Sequence, residues 1–420
     1  MTKRSIRDLD VQNKRVLLRV DYNVPMSKDG AITDDKRILE TLPTIRYLLD
    51  KNAIIILVTH LGRPDGKIVE SLRLDKIAQR LSALLGKPVN KLNSVVGPDV
   101  TEAVANAKPG DIIMLENVRF LKGEQNGSEE LAKELAALAD VYVDDAFATA
   151  HRPDTSVCGV PQFLPSATGF LLEKEINVLE TITTSAKKPF IAILGGAKVS
   201  DKIGLIKNLL TKTDAVLIGG GMAFTFLKAM GYGVGFSLVE EDYLKVADEI
   251  IEAAKTRGTR LLLPVDVIVT NEIKAGSSHH IVDIEEIPAD QIGVDIGPKT
   301  LEAFEAEIAK ANTIIWNGPM GVIEIAEFAE GTKSLARAIA ANSGALTVAG
   351  GGETASVIDA LNLQNDFKHV YTGGGAFLEY LEGKQLPGIE AIDSVDKCAL
   401  ALEIEAAFLI IALVTGGLRC

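Results

Sequence analysis

Short apolar, β-branched runs recur along this chain, separated by stretches with helical spacing. RVLLRV (15–20), AIIILV (53–58), DIIML (111–115) and VYV (141–143) lie in the first half. FIAIL (190–194), AVLI (215–218), RLLLPV (260–265), TIIW (313–316), ALTVA (345–349) and HVYT (369–372) lie in the second. Each reads as a strand. Between them, EELAKELAALAD sets Leu131, Leu135 and Leu138 at i, i+4 and i+7, one face of a helix. Strands apolar on both faces, alternating with helices, predict an α/β fold with parallel sheets covered on both sides. FLLEKEINVLETITTS (170–185) places Leu172, Ile176, Leu179 and Thr183 on one stripe and reads as a helix joining two halves.

Length and composition sharpen this picture. A chain of 420 residues exceeds one ordinary core, so two domains are expected. A net charge of −13 without a basic block argues against nucleic acid or an anionic membrane as partner. Cys158, Cys398 and Cys420 show no C-x-x-C spacing and read as free thiols of a reducing cytosol. The N-terminus shows no apolar signal segment, so a cytoplasmic location is expected. Near the C-terminus, AAFLIIALV (406–414) is too short to cross a bilayer, which takes about 20 residues. It reads as a short helix with one buried face.

Sheets of this class bind ligands at the carboxyl ends of their strands. The first half places Asp21, Asn23, His60, Arg63, Glu116, Asn117, Arg119, Asp144, Asp145, His151 and Arg152 after its apolar runs. Arg37, Arg63, Arg119 and Arg152 are expected in loops or just past strand ends, where planar guanidinium forks suit an anion with more than one charged group.

The second half breaks into glycine instead: Gly195-Gly196, Gly219-Gly220-Gly221, Gly350-Gly351-Gly352 and Gly373-Gly374-Gly375, each straight after an apolar run. Strand, glycine turn and helix start together present bare N–H groups to a phosphate. Lys198 and Lys202 follow the first of these turns at i, i+4, expected on one face of a helix start. Asp266 and Asn317-Gly318-Pro319 follow two further runs, and Glu324 can accept ribose hydroxyls or cap a helix.

Gly350 to Ala355 fits G-x-G-x-x-A, a dinucleotide fingerprint, but the next apolar run ends in Thr372 rather than the acid that fingerprint needs. Glu353, on the first turn, suits a magnesium ion carried in with a nucleotide. An NAD-linked oxidoreductase and a non-catalytic nucleotide-binding protein therefore stand beside a kinase as readings. No P-loop or protein-kinase motif is present.

As a set these segments resemble the phosphoglycerate kinase family from about Lys3 to Ile392. The motifs that carry the likeness are Arg19-Val20-Asp21-Tyr22-Asn23-Val24-Pro25, Thr59-His60-Leu61-Gly62-Arg63-Pro64, Leu115 to Phe120, Ala150-His151-Arg152, Gly195 to Lys202, Trp316 to Gly321 and the Gly350 and Gly373 turns. The resemblance implies two Rossmann-like domains facing a cleft. The expected bounds are 1–170 for phosphoglycerate and 171–375 for nucleotide, with 376–392 packing back on the first domain and an atypical tail at 393–420. It implies a glycolytic kinase, a monomer, that moves a phosphoryl group between 1,3-bisphosphoglycerate and ADP in line, after hinge closure, with Mg2+ accompanying ATP or ADP.

Carried over by motif, substrate contacts are Asp21, Tyr22, Asn23, Arg37, His60, Leu61, Gly62, Arg63, Arg119 and Arg152. Nucleotide contacts are Lys198, Lys202, Gly293, Asn317, Glu324, Gly350, Gly351, Gly352 and Glu353, the last also toward Mg2+. Arg37, Lys198, Gly352 and Gly375 are implied around the phosphoryl group in flight. The family usually carries Asp at the Glu353 position.

Overall fold

The apolar runs become strands nearly residue for residue. The structure, a computed structural model, describes residues 2–371 and 373–395. Thr372, Cys398, Cys420 and the apolar stretch 406–414 lie outside the described residues. The chain divides into two compact units: one runs to Asn177 and resumes at Gln385, the other is Val178–Lys384.

In the first unit, Arg15–Val20 (β1), Ile54–Val58 (β2), Asn90–Lys91 (β3), Ile112–Met114 (β4), Val141–Asp145 (β5) and Ser166–Thr168 (β6) form one parallel sheet. Its order is β3-β4-β2-β1-β5-β6. Alternate strand residues feed two cores. Val16, Leu18, Ile55 and Leu57 enter one, and Leu17, Ile56, Val58 and Ile113 the other, so both faces are covered. β3 and β6 carry no apolar run and escape the sequence pattern. Asp144 and Asp145, expected past the strand, are its last two residues and are fully buried.

In the second unit, Phe190–Leu194 (β7), Ala215–Ile218 (β8) and Arg260–Leu262 (β9) join Thr313–Asn317 (β13), Leu346–Gly350 (β14) and His369–Tyr371 (β15) in a second parallel sheet. Its order is β15-β14-β13-β7-β8-β9. Asp266–Thr270 (β10), His279–Asp283 (β11) and Ile292–Ile296 (β12) form a separate antiparallel sheet that the sequence reading did not anticipate.

Helix Phe170–Thr184 buries Leu172, Ile176, Leu179 and Ile182; the stripe ends at Ile182 rather than at the expected Thr183. Helix Gly374–Leu381 belongs with the second unit. A methyl group on Gly350 would overlap the Phe377 ring, and Asn208 Nδ2 donates to the Leu381 carbonyl at 2.6 Å. The chain rejoins the first unit only afterwards, where the Gly388 N–H donates to the Ala150 carbonyl at 2.8 Å. Among the described residues no helix is long and apolar enough to cross a membrane.

Asp266, expected among ligand groups past a strand end, instead opens β10 and caps helix Pro298–Ile308. Its buried carboxylate accepts from the Lys299 N–H at 3.0 Å, the Thr300 N–H at 2.8 Å and the Thr300 hydroxyl at 2.7 Å. Removing it strands buried donors, each of which costs about 1–3 kcal/mol. Asp266→Ala is therefore expected to lower the unfolding free energy of the second unit by at least about 1 kcal/mol. Urea titration followed at Trp316, the single tryptophan, measures this; an unmoved midpoint would remove the cap's role.

Candidate active site

In the first unit the site grows from the carboxyl ends of β1 and β2. Arg19 is the penultimate residue of β1 and is 0% exposed. Burying a guanidinium is tolerable only with partners. Its Nε donates to Ser156 Oγ at 2.9 Å, Nη1 to the Val20 carbonyl, and Nη2 reaches His60 Nδ1 at 3.2 Å. Behind it lie two buried carboxyls. Burial pushes Asp144 up to about 7 and raises Glu124, and in both the Arg19 charge pulls the other way. Arg19 heads the first motif of the resemblance but received no site role from the sequence, although a charged residue inside the run RVLLRV was the available signal.

His60 is 3% exposed. A guanidinium has donors only, so His60 Nδ1 must accept from Arg19 and the ring proton sits on Nε2. Asp21 Oδ1 stands 3.9 Å from Nδ1, too far for a hydrogen bond. Burial, then the charges of Arg19, Arg119, Arg37 and Arg152, hold the imidazole well below its ordinary pKa. His60 is thus a neutral N–H donor among guanidiniums.

Arg37 lies in the first turn of helix Lys36–Asp50, not in a loop, and pairs with the Asp21 carboxylate. Asn23 Oδ1 accepts from the Gly62 N–H at 2.9 Å, and Arg119 Nη1 donates to the Gly62 carbonyl at 3.0 Å. Arg119 also lies 3.5 Å from Asp154 Oδ2, and its buried Nε has no partner among the described residues. The structure therefore brings together Asp21, Asn23, Arg37, His60, Gly62, Arg119 and Arg152. Arg63 is exposed at the next position after Gly62. Tyr22 and Leu61 offer the site no free polar side chain: the Tyr22 hydroxyl meets Thr41 at 2.8 Å in the core, and the Leu61 backbone N–H and carbonyl both bond the side-chain amide of Asn117.

In the second unit the glycine turns divide into two kinds. Those after β7, β8 and β13 touch one another: the Gly195 N–H donates to the Asn317 carbonyl at 2.9 Å, Gly196 to Pro319 at 2.9 Å and Gly220 to Met320 at 3.1 Å. A methyl group on Gly195 would overlap the Pro319 carbonyl, and one on Gly219 the Met320 sulfur. These glycines serve turn-to-turn packing, which the reading of every turn as a phosphate surface missed. Gly352 differs. It opens helix Gly352–Ala360, is exposed, and has open space around it. Gly351 directs it from φ +103°, a region that favours glycine. Gly375, also exposed, lies in the first turn of helix Gly374–Leu381.

Lys198 and Lys202 do not share a helical face. Helix Ile203–Leu209 begins only after Lys202, and the exposed Lys198 lies in an irregular turn. The Glu240 carboxylate holds that turn by accepting from the Ser200 N–H at 3.0 Å and the Ser200 hydroxyl at 2.6 Å. Lys202 Nζ donates to Asn317 Oδ1, while Asn317 Nδ2 donates to the Gly350 carbonyl at 2.6 Å. Asn317 thus joins the lysine to the Gly350 turn. Burial lowers Lys202 to about 8, opposed by the charges of Glu353 and Asp201.

A cavity of about 220 Å³ opens beside these turns, lined by Gly196, Phe224, Leu238, Gly293, Glu324 and Glu353 among others. Gly293 is pressed by the Phe224 ring, leaving no room for a side chain. An apolar slot with an exposed acid at Glu324 and open amides nearby suits a flat ring bearing a sugar and phosphates. Among the described residues no three His, Cys, Asp or Glu side chains cluster as metal ligands. Glu353, exposed on the first turn of its helix, fits a cation held mainly by a nucleotide's phosphates and water.

A family model described as phosphoglycerate kinase matches residues 6–384. The chain is similar to the phosphoglycerate kinase of Dictyoglomus turgidum, 56% identical over 395 residues, covering 93% of this chain and 99% of that one. It is 54% identical to that of Thermosipho africanus over 400 residues, covering 94% and 99%. Among solved structures, phosphoglycerate kinase from Coxiella burnetii aligns with a TM-score of 0.85 at 41% identity, covering 93% and 98%. The enzyme from Pyrococcus horikoshii aligns with a TM-score of 0.79 at 35% identity, covering 92% and 98%.

The Arg19 contact makes a spectroscopic prediction. In ¹⁵N NMR of the ligand-free protein, His60 is expected to show a pyrrole-type Nε2–H and a pyridine-type Nδ1, and to stay uncharged to well below pH 6.5. A ring that gains its second proton near pH 6.5 would contradict the assignment.

Proposed function

This chain belongs to the phosphoglycerate kinase family, and on that premise we propose how its residues divide the work. It is a glycolytic kinase that exchanges a phosphoryl group between 1,3-bisphosphoglycerate with ADP and 3-phosphoglycerate with ATP. One observation carries the assignment of substrates to units. Guanidiniums converge on His60 in the first unit, whereas the second offers an apolar cavity, open amides and Lys202. The first is read as the phosphoglycerate grip and the second as the nucleotide grip.

The reaction demands positioning and charge stabilisation more than covalent chemistry. A β-phosphate oxygen of ADP attacks the acyl-linked phosphorus in line. The P–O bond to the acyl oxygen breaks, and the carboxylate of 3-phosphoglycerate leaves. Arg37 and Lys198 would neutralise the oxygens of the group in flight, and the N–H groups of Gly352 and Gly375 would add uncharged donors. Arg119 and the His60 N–H would hold the rest of the phosphoglycerate. Mg2+, held by the nucleotide's phosphates with Glu353, would supply charge neutralisation. Arg37 and Lys198 come from different units, so this reading requires hinge closure in turnover and exclusion of water when closed. We read the enzyme as a cytoplasmic monomer.

ATP-dependent phosphorylation of 3-phosphoglycerate by the purified protein tests the activity directly. Turnover that requires magnesium is expected, and none under any divalent cation would overturn the reading. Arg37→Ala is expected to lower kcat by about 10²-fold or more, as removal of a group aimed at developing charge does, with little change in nucleotide KM; a near-normal kcat would remove Arg37 from the transition state.

Lys202 predicts a pH dependence. Its lowered pKa means that the ammonium is charged below about 8 and neutral above. The KM for ADP is therefore expected to rise as pH climbs through about 8. Lys202→Ala should show the raised KM at all pH values, without that step and with a smaller loss in kcat. A pH step that survives in Lys202→Ala would assign it to another group.

A further inference from the structure

Asp295, on β12, is 3% exposed and borders the cavity of the second unit. No sequence motif marked it. Its Oδ1 accepts from the Ile296 N–H at 2.9 Å and its Oδ2 from the Gly331 N–H at 2.8 Å. Gly331 is the second residue of helix Glu330–Ala341, so the carboxylate also meets the positive end of that helix.

Two glycines press on the same carboxyl. A methyl group on Gly321 would overlap Asp295 Oδ1, and so would one on Gly331. The chain between these glycines leaves the neck, carries Glu324 exposed on the cavity wall, and returns. Two more bonds tie the neck: Met320 N–H to Thr332 Oγ1 at 2.9 Å, and Val322 N–H to the Val294 carbonyl at 3.0 Å. The Gly331 end of the Glu324 loop is thus bonded to one buried carboxyl on the cavity's own strand, and the Gly321 end packs closely against the same group.

We propose that Asp295 is a positioning residue for nucleotide binding, clasping the neck of the loop so that Glu324 stands at a fixed place against the ribose. This rests on the reading of the cavity as the nucleotide site. Both oxygens of Asp295 are taken up by backbone N–H groups; it acts by removing, before binding, freedom that the loop would otherwise lose on binding. In Asp295→Asn the volume stays, but an amide NH₂ must face one of the two N–H donors, so one bond becomes a repulsion.

The test compares wild type, Asp295→Asn, Glu324→Ala and the double variant, using ATP, 2′-deoxyATP and 3′-deoxyATP. Asp295→Asn is expected to raise the ATP KM about tenfold with kcat and the 3-phosphoglycerate KM within about twofold. It should also shrink the preference for ATP over the deoxy analogue that wild type rejects most. Added to Glu324→Ala it should raise the ATP KM by less than about twofold, because the group it positions is gone. Thr332→Val, which loosens the same neck, should act in the same direction and serves if Asp295→Asn does not fold.

If Glu324→Ala changes neither the ATP KM nor the sugar preference, the ribose reading of Glu324 falls, and this proposal with it. If Glu324→Ala loses the preference while Asp295→Asn and Thr332→Val keep it, the proposal alone is overturned. A full-sized Asp295→Asn effect in the Glu324→Ala background also overturns it alone.

Discussion

Parallel strands deliver all their carboxyl ends to one edge of a sheet, and in the second unit the turns after β7, β8 and β13 must share that edge. They fit only where backbone meets backbone. Gly195 lies against the Pro319 carbonyl, Gly220 against Gly196, and Gly318 against Gly195, with no room for a Cβ at any of the three. The Gly195–Asn317, Gly196–Pro319 and Gly220–Met320 hydrogen bonds then lock the turns to one another. Everything proposed for nucleotide binding follows from this packing. It puts Asn317 where it can hold Lys202 on one side and the Gly350 turn on the other. Gly352, at the start of the helix that follows the Gly350 turn, is exposed with open space where a side chain would stand.

The first unit solves a different problem, which is how to hold several cations still before a ligand arrives. Arg19 sits buried inside a strand because Ser156, the Val20 carbonyl and His60 satisfy its donors and buried carboxyls lie behind it. Fixing Arg19 fixes the tautomer of His60. Arg37 is held by Asp21, and Arg119 by the Gly62 carbonyl and Asp154. The same acids that steady the guanidiniums also lower their repulsion, so the cluster can exist without a bound anion.

Much of this was legible in the sequence because parallel sheets write themselves as uninterrupted apolar runs. RVLLRV and FIAIL predict β1 and β7 to the residue. What escaped was set by partners far along the chain. Asp144 and Asp145 could stay in a strand because Arg19 faces one and the N–H groups of Leu171 and Leu172 bind the other at 3.1 Å or less. The turn at Lys198 is shaped by Glu240, which binds Ser200 from 40 residues further along the chain, so local spacing misplaced the two lysines on a helix. β11 (HHIVD) is largely exposed and carries no apolar run, which hid the antiparallel sheet. Site residue types were readable from motifs, but Arg19 and Asp295 act by touching other protein groups, and no motif announces such a contact.

The two grips also differ in the kind of charge they use, and the proposed ligands explain why. A phosphoglycerate arrives without a cation of its own, so its unit supplies guanidiniums, which keep their charge at any working pH. One more positive group buried among Arg19, Arg37, Arg119 and Arg152 would only add repulsion to the empty site, and His60 answers by donating while neutral. A nucleotide, on the same reading, brings a divalent cation that offsets part of its charge. Strong fixed cations are less needed there. On that reading, main-chain amides at Gly352 and Gly375 would add attraction without charge, and the ammonium offered at Lys202 is one that burial has already weakened toward about 8.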